Sequence, residues 1–131
     1  MATTYTDVAE GVRAAIAAYT QALDDGRTDD IVATFCPDGS CDIPGMGAHD
    51  GHDALREAYA KLQPRRPQRH LVANTLVTDG NEREATAVSD VVFMLKGDAG
   101  WTVPLVGRYH DVLHCDDGIW RFHRRVAEFV P

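Results

Sequence analysis

The chain has 131 residues, of which 44% are hydrophobic and 25% are charged, and its formal net charge is −7. This composition is typical of a soluble globular protein, and the length suits one domain, 1–131, that buries a core and a small-molecule cavity. The acidic balance argues against a nucleic-acid partner, which needs a basic surface. No apolar run approaches the roughly 20 residues of a membrane helix, and the start of the sequence lacks a signal core, so we expect no membrane partner and a cytoplasmic protein.

The first half of the sequence has a helical periodicity. Apolar residues recur at intervals of three and four from Val8 to Leu23, which predicts an amphipathic helix that ends near Gly26. The Pro37-Asp38-Gly39 turn signal separates further elements. The predicted elements are helices over 6–24, 28–36 and 52–62, with a short strand over 40–43.

From Arg69 onward, apolar residues alternate with polar ones, as they do in strands. Short glycine-containing turns separate four such runs, which predicts antiparallel neighbours. Helices followed by a meander indicate an α+β fold, in which three N-terminal helices pack on one face of a curved antiparallel sheet. The predicted strands cover 69–78, 83–96, 101–114 and 118–128.

The most informative stretch is the start of the first long strand. His70 alternates with Val72 and Asn74, so these side chains share one face of a strand. A face that mixes polar and apolar groups is typical of a ligand cavity. A neutral imidazole can take a proton at cellular pH when a buried carboxylate holds its other nitrogen. We therefore expect His70 to lie at the mouth of a pocket.

The three cysteines, Cys36, Cys41 and Cys115, are odd in number and lack CxxC spacing. This pattern predicts reduced thiols and indicates neither a disulfide framework nor a zinc site.

Six short motifs follow one another along nearly the whole chain. They are Tyr19-(x)4-Asp24, FCPDG at 35–39, GMGAHDG at 45–51, His70-(x)3-Asn74, GRYHD at 107–111 and DGIWRFHRR at 117–125. In this order they resemble the SnoaL-like family of the nuclear transport factor 2-like superfamily. The resemblance implies a cone-shaped α+β barrel that encloses an apolar pocket, commonly in a homodimer formed through the sheet. This fold hosts dehydratases, isomerases, epoxide hydrolases, cyclases and non-enzymatic subunits.

Within the superfamily, the pattern is most similar to the branch of scytalone dehydratase, bile acid 7α-dehydratase and hexachlorocyclohexane dehydrochlorinase. The resemblance implies a catalytic base, His70, that is oriented by Asp24 at the end of the first helix. Arg125 matches the pocket arginine of the dehydrochlorinase, and Tyr19 matches the helix tyrosine of the bile acid enzyme. The implied reaction is elimination of water from a small apolar or cyclic substrate, with no metal and no organic cofactor.

Strand parity and the same resemblance complete the predicted pocket. They turn Val91 and Phe93 inward, which would turn Asp90 outward. Cys41, Met46 and Phe35 are expected to close the open end. The predicted pocket residues are Phe35, Cys41, Met46, Val72, Asn74, Val91, Phe93, Leu105 and Tyr109.

Each assignment has a structural alternative. His70 could simply bond a carbonyl, and Asp24 could only terminate its helix while Asp25 faces inward. Arg125 could lie on a solvated strand face, and Tyr19 could be a core residue. For function, the alternatives are an isomerase, a polyketide cyclase, an epoxide hydrolase, or a non-catalytic binding or assembly module.

Overall fold

The computed structural model describes residues 3–131, in which three helices and six strands follow one another. None of these helices is long and apolar enough to cross a membrane. The helices are α1 (Tyr5–Asp24), α2 (Thr28–Ala33) and α3 (Gly51–Ala60), and the strands are β1 (Phe35–Ile43), β2 (Gly47–Asp50), β3 (Gln68–Gly80), β4 (Glu84–Gly97), β5 (Gly100–Asp116) and β6 (Ile119–Phe129).

Helix α1 begins and ends where local chemistry dictates. The Thr4 hydroxyl accepts a hydrogen bond from the Asp7 backbone N–H at 3.1 Å, and the Asp7 carboxylate accepts one from the Thr4 N–H at 3.0 Å. This capping box satisfies two donors of the first turn. After the helix, Gly26 takes a φ of +69°, the left-handed conformation that glycine adopts readily.

The strands form one curved, unclosed sheet in the order β2-β1-β6-β5-β4-β3. This confirms the predicted α+β fold with helices packed on a curved sheet. All neighbouring strands are antiparallel except β1 and β6, which are parallel, so the sheet is mixed and not purely antiparallel as predicted. The prediction rested on short turns, and short turns fix direction only between strands that they join.

The start of β1 also corrects the prediction. Phe35 and Cys36 were expected at the end of the second helix, but they begin a strand that pairs with β6. The Phe122 backbone N–H donates to the Thr34 carbonyl at 2.8 Å and so recruits this segment into the sheet. That pairing joins residues far apart in sequence, and local helix propensity does not reflect it.

The main core lies between the helices and the inner face of the sheet, around fully buried Val12, Leu55, Leu113 and Phe122. Trp120 of β6 packs at the edge of this core and faces Gly11 of α1. A methyl group at Gly11 would overlap the Trp120 indole ring, so glycine permits the close approach of helix and sheet.

We therefore expect Gly11→Ala to destabilise the protein by about 1–3 kcal/mol, the usual cost of overpacking. Alanine stabilises a helix by about 1 kcal/mol relative to glycine. A net loss of stability in Gly11→Ala would therefore come from the clash with Trp120. Urea unfolding measures the change, with Gln21→Ala, at an exposed position of the same helix, as the control. A Gly11→Ala variant as stable as the parent would contradict the close packing.

Candidate active site

Asp24, the last residue of α1, is the centre of a hydrogen-bond cluster at the start of β3. Its Oδ1 lies 2.6 Å from His70 Nδ1 and accepts from Gln68 Nε2 at 3.2 Å, and its Oδ2 accepts from the His70 backbone N–H at 2.7 Å. Only 5% of the Asp24 side chain is exposed, against 17% for His70. Neighbouring Asp25 is exposed and forms an ion pair with Arg27 at 3.5 Å, so Asp24 is the residue that faces the histidine.

These contacts fix the tautomer and the orientation of the His70 ring. An ionised carboxylate can only accept hydrogen bonds, so His70 Nδ1 carries the hydrogen and Nε2 keeps its lone pair. The ring also packs on Phe93, with 4.7 Å between ring centroids and 33° between planes. His70 and Phe93 are cross-strand partners of β3 and β4, so the sheet register sets this contact. An oriented imidazole with a free lone pair is what a general base requires.

A cavity of about 360 Å³ opens beside this imidazole, between the inner face of the sheet and the helices. Its wall is mainly apolar, with a few polar groups that include the His70 ring, the Gln68 amide and the phenol groups of Tyr19, Tyr59 and Tyr109. Its volume is at the small end of the range for ligand pockets. The predicted site residues in this wall are Tyr19, Met46, His70, Val91, Phe93, Leu105 and Tyr109.

Two of the predicted pocket residues of β3 lie elsewhere. Asn74 has a φ of +54° at a bulge, where the register with β4 shifts by one residue. The bulge turns Asn74 to the outer face of the sheet, where its amide donates to Asp90 Oδ2 at 2.9 Å. Asn74 therefore does not line the pocket, because the bulge intervenes. Val72 precedes the bulge, is half-buried and packs against Val91 and Tyr109 of the cavity wall. It lines a second groove, between α1 and β3, which Asp24 and His70 also line.

Asp90 faces outward, as predicted from the alternation of side chains along its strand. It also accepts a hydrogen bond from Arg108 Nε at 2.9 Å. The hydrogen bonds from Asn74 and Arg108 lower the pKa of the Asp90 carboxyl, which suits a surface ion pair and not a pocket acid.

Phe35 and Cys41 lie behind the cavity wall, at 0% and 2% exposure. Phe35 packs against the rings of Tyr19 and Tyr59, with centroids 6.0 and 6.2 Å apart. Both residues are part of the main core, so they do not close the open end as predicted. They lie there because β1 (Phe35–Ile43) is longer than the predicted strand over 40–43, and both residues belong to it, beneath the helices.

Arg125 is likewise behind the wall. It is fully buried and paired with Asp111, with Nε donating to Oδ1 at 2.9 Å and Nη2 to Oδ2 at 3.3 Å. Its guanidinium carbon lies 3.5 Å from the centroid of the Tyr109 ring and 4.3 Å from that of Tyr19. Arg125 is therefore not in the cavity wall, where the resemblance implied it, because its pair with Asp111 keeps it behind the Tyr19 and Tyr109 rings. Burial opposes the charge, but Asp111 and the Tyr109, Tyr19 and Tyr59 phenols together outweigh it and raise the pKa of Arg125, so the guanidinium stays charged.

Tyr59 of α3 is a site residue that sequence reasoning missed, because its spacing indicates only a member of the apolar stripe of its helix. Its hydroxyl lies 2.6 Å from that of Tyr19, and burial raises the pKa of both phenols, so both stay protonated. Because one hydroxyl must donate to the other, the accepting hydroxyl keeps its own hydrogen for a further acceptor. A tyrosine on a fully buried stripe is the signal that could have found it, since a buried phenol needs a polar partner.

Gln68 was also missed. It lies two residues before His70, on the same face of β3, and donates to the same carboxylate oxygen as the histidine does. A polar residue in phase with a candidate base was the available signal.

The buried ion pair should dominate the stability of this region. We expect Arg125→Met to lower the free energy of unfolding by about 3–5 kcal/mol, because it leaves the buried Asp111 carboxylate without its charged partner. The matched control is Arg108→Met, which breaks the half-exposed pair with Asp90 and should cost at most about 1 kcal/mol. Urea unfolding compares the two variants, and equal losses would contradict the role of burial.

The tautomer of His70 should depend on Asp24. In Asp24→Asn, the single amide oxygen is needed by the His70 backbone N–H, so the NH₂ group faces Nδ1. We expect His70 to change from the Nδ1–H to the Nε2–H form, as seen by ¹⁵N NMR of the neutral ring. Asp25→Asn, at the exposed neighbour, should leave the tautomer unchanged. The same tautomer in the parent and in Asp24→Asn would refute the assigned geometry.

Comparisons with known proteins agree with this architecture. A protein of unknown function from Mycobacterium tuberculosis is 27% identical, with a TM-score of 0.84 over 92% of this chain and 70% of that chain. A candidate scytalone dehydratase from Novosphingobium aromaticivorans is 21% identical, with a TM-score of 0.81 over 93% and 83%. The β subunit of a candidate aromatic-ring-hydroxylating dioxygenase from the same organism is 20% identical, with a TM-score of 0.83 over 98% and 93%. The last two likenesses show a shared fold.

No curated protein matches the sequence. The model of the SnoaL-like domain, by contrast, matches residues 5–126, which is nearly all of the chain. The order of the six sequence motifs and the observed fold agree with that match. The chain belongs to the SnoaL-like family, within the nuclear transport factor 2-like fold.

Proposed function

We propose that this protein is a cofactor-independent lyase that eliminates water from a small, largely apolar or cyclic substrate, with His70 as general base and Asp24 as its orienting partner. The observation that carries the proposal is the 2.6 Å contact between His70 Nδ1 and Asp24 Oδ1 beside an apolar cavity. It leaves Nε2 as the basic nitrogen of a ring that also lines the cavity. Imidazole–carboxylate pairs of this kind abstract protons in many enzymes.

The first step is removal of a proton from a carbon next to a carbonyl group. His70 Nε2 takes the proton, and the Asp24 carboxylate stabilises the imidazolium that forms. Three donors hold this carboxylate in one place, so it does not have to reorganise during the step. General-base catalysis supplies about 10²- to 10⁴-fold of rate, so stabilisation of the developing negative charge must supply more.

The tyrosine pair meets that second requirement. The free hydroxyl hydrogen of the Tyr19–Tyr59 pair can donate to an enolate oxygen or to the departing hydroxyl. Because burial raises the pKa of Tyr19, we assign it hydrogen-bond donation and not net proton transfer. Arg125 is a positioning residue here, since its charge lies against the Tyr19 and Tyr109 rings and acts on the substrate only through them.

The elimination then balances without another reactant. The electron pair of the broken C–H bond forms a C=C bond as the C–O bond to the hydroxyl group breaks. The departing oxygen takes the proton back from the His70 imidazolium, and water and an unsaturated product leave. The same first step followed by return of the proton to a different carbon would be an isomerisation, so the product distinguishes the two reactions.

We also retain the homodimer as a proposal, because it is common in this family. Exposed apolar side chains on the outer face of the sheet support it, namely Leu71, Leu76 and Val106 at 54%, 66% and 41% exposure. The substrate would then enter from the cavity mouth on the other face.

Turnover of a panel of small cyclic β-hydroxy ketones tests the proposed reaction. We expect the conjugated enone, seen as new ultraviolet absorbance and as loss of one water by mass spectrometry. His70→Gln and Asp24→Asn should each lower kcat by about 10²- to 10⁴-fold, because both remove the oriented base. His110→Gln is the matched control, since His110 is also paired with a carboxylate, Glu128, but on the outer face.

A product of unchanged mass would favour an isomerase. Parent protein that turns over none of the panel, or a His70→Gln variant as active as the parent, would refute the assigned base.

A further inference from the structure

One thiol and two imidazoles meet on the outer face of the sheet, away from the cavity. Cys36 lies at the start of β1, His114 near the end of β5, and His123 in β6. Their candidate ligand atoms all lie within 4.8 Å of one another. Each follows a fully buried, inward-facing residue in the sequence, and alternation along a strand turns it to the opposite face.

We propose that Cys36, His114 and His123 form a binding site for Zn²⁺ or a divalent metal of similar ligand preference. Thiolate and imidazole are the ligands that zinc prefers. With Zn–S near 2.3 Å and Zn–N near 2.0–2.1 Å, ligand atoms of a tetrahedral site lie about 3.3–3.6 Å apart. The cluster therefore needs to close by only about 1 Å, and the two histidine side chains, each 38% exposed, have the freedom to do so.

A carboxylate behind one of the rings supports the assignment. His114 Nε2 lies 3.0 Å from Glu84 Oε2, so Nε2 carries the hydrogen and Nδ1 is left with its lone pair. Histidines that bind metals commonly donate their other N–H to a carboxylate, which fixes the tautomer and the ring orientation.

A second, independent observation concerns His123. Its Nδ1 is buried and has no hydrogen-bond partner among residues 3–131. A buried polar atom without a partner is uncommon in native proteins, and coordination of an ion would satisfy this nitrogen. The Asp38 carboxylate, 3.9 Å from the same nitrogen, could supply a fourth ligand.

A nucleophilic cysteine is the main alternative for the same cluster, and the surroundings of the thiol disfavour it. Cys36 is buried and its thiol donates to the Arg121 carbonyl oxygen at 3.7 Å, whereas reactive cysteines are partly exposed. The rings of His114 and His123 are stacked, with 4.1 Å between centroids. A buried thiol with two imidazole nitrogens within 4.8 Å matches zinc binding. CxxC spacing could not reveal this site, since its ligands come from three strands.

Calorimetric titration of the metal-free protein with Zn²⁺ tests the proposal, together with Co²⁺ titration followed by absorbance. We expect one site per chain and the charge-transfer band of a Co²⁺–thiolate bond, lost in Cys36→Ser. Glu84→Gln should weaken Zn²⁺ binding by about 10- to 100-fold, the usual effect of removing such a carboxylate. Glu128→Gln is the matched control, because Glu128 also lies 3.0 Å from a histidine Nε2, that of His110.

Alkylation of Cys36 in the unaltered protein gives a readout that does not depend on how any variant folds. Zn²⁺ should protect this thiol, as measured by mass spectrometry of the peptide that contains it. The absence of saturable Zn²⁺ binding by the parent, alkylation of Cys36 that proceeds in the metal-free protein and is not slowed by Zn²⁺, or equal effects of Glu84→Gln and Glu128→Gln would each overturn the proposal.

Discussion

The Asp24 carboxylate connects the helical layer to the sheet at the point where the candidate base is held. β3 is an edge strand, and the His70 backbone N–H donates to Asp24 and not to a neighbouring strand. The end of α1 thereby satisfies a donor that an open edge would leave unpaired. The same carboxylate orients the His70 ring, so the scaffold and the proposed chemistry depend on one group. A base held in this way does not depend on loop order.

Behind the tyrosines of the cavity lies a buried charge pair that hydrophobic packing alone does not explain. Burying Arg125 and Asp111 costs desolvation energy that a well-packed apolar pair would avoid. The pair places a permanent positive group next to the rings of Tyr19 and Tyr109, in a region with little water. Preorganised charge is most effective at stabilising an anionic intermediate in such surroundings. We interpret the pair as part of the electrostatic design of the site.

The sequence predicted well those features that repeat over many residues. The periodicity of α1 and the alternation of β3 to β6 extend over several turns or residue pairs, so the elements and the α+β class follow from them. The family resemblance, together with the chemistry of an oriented imidazole, predicted that Asp24 orients His70. The errors have local or long-range causes. The bulge at Asn74 reverses a face, and the pairing of Phe35 with Phe122 overrides helix propensity.

The two proposed sites lie on opposite faces of the same sheet. In β6, Phe122 fills the core beneath the cavity, and the next residue, His123, belongs to the outer cluster. That cluster also spans β1 and β6, the parallel pair that no short turn connects. Closing the long chain between these strands costs entropy that grows with its length, and a metal bound to both would help to offset that cost. The outer site would then stabilise the sheet that forms the cavity, without taking part in the chemistry inside it.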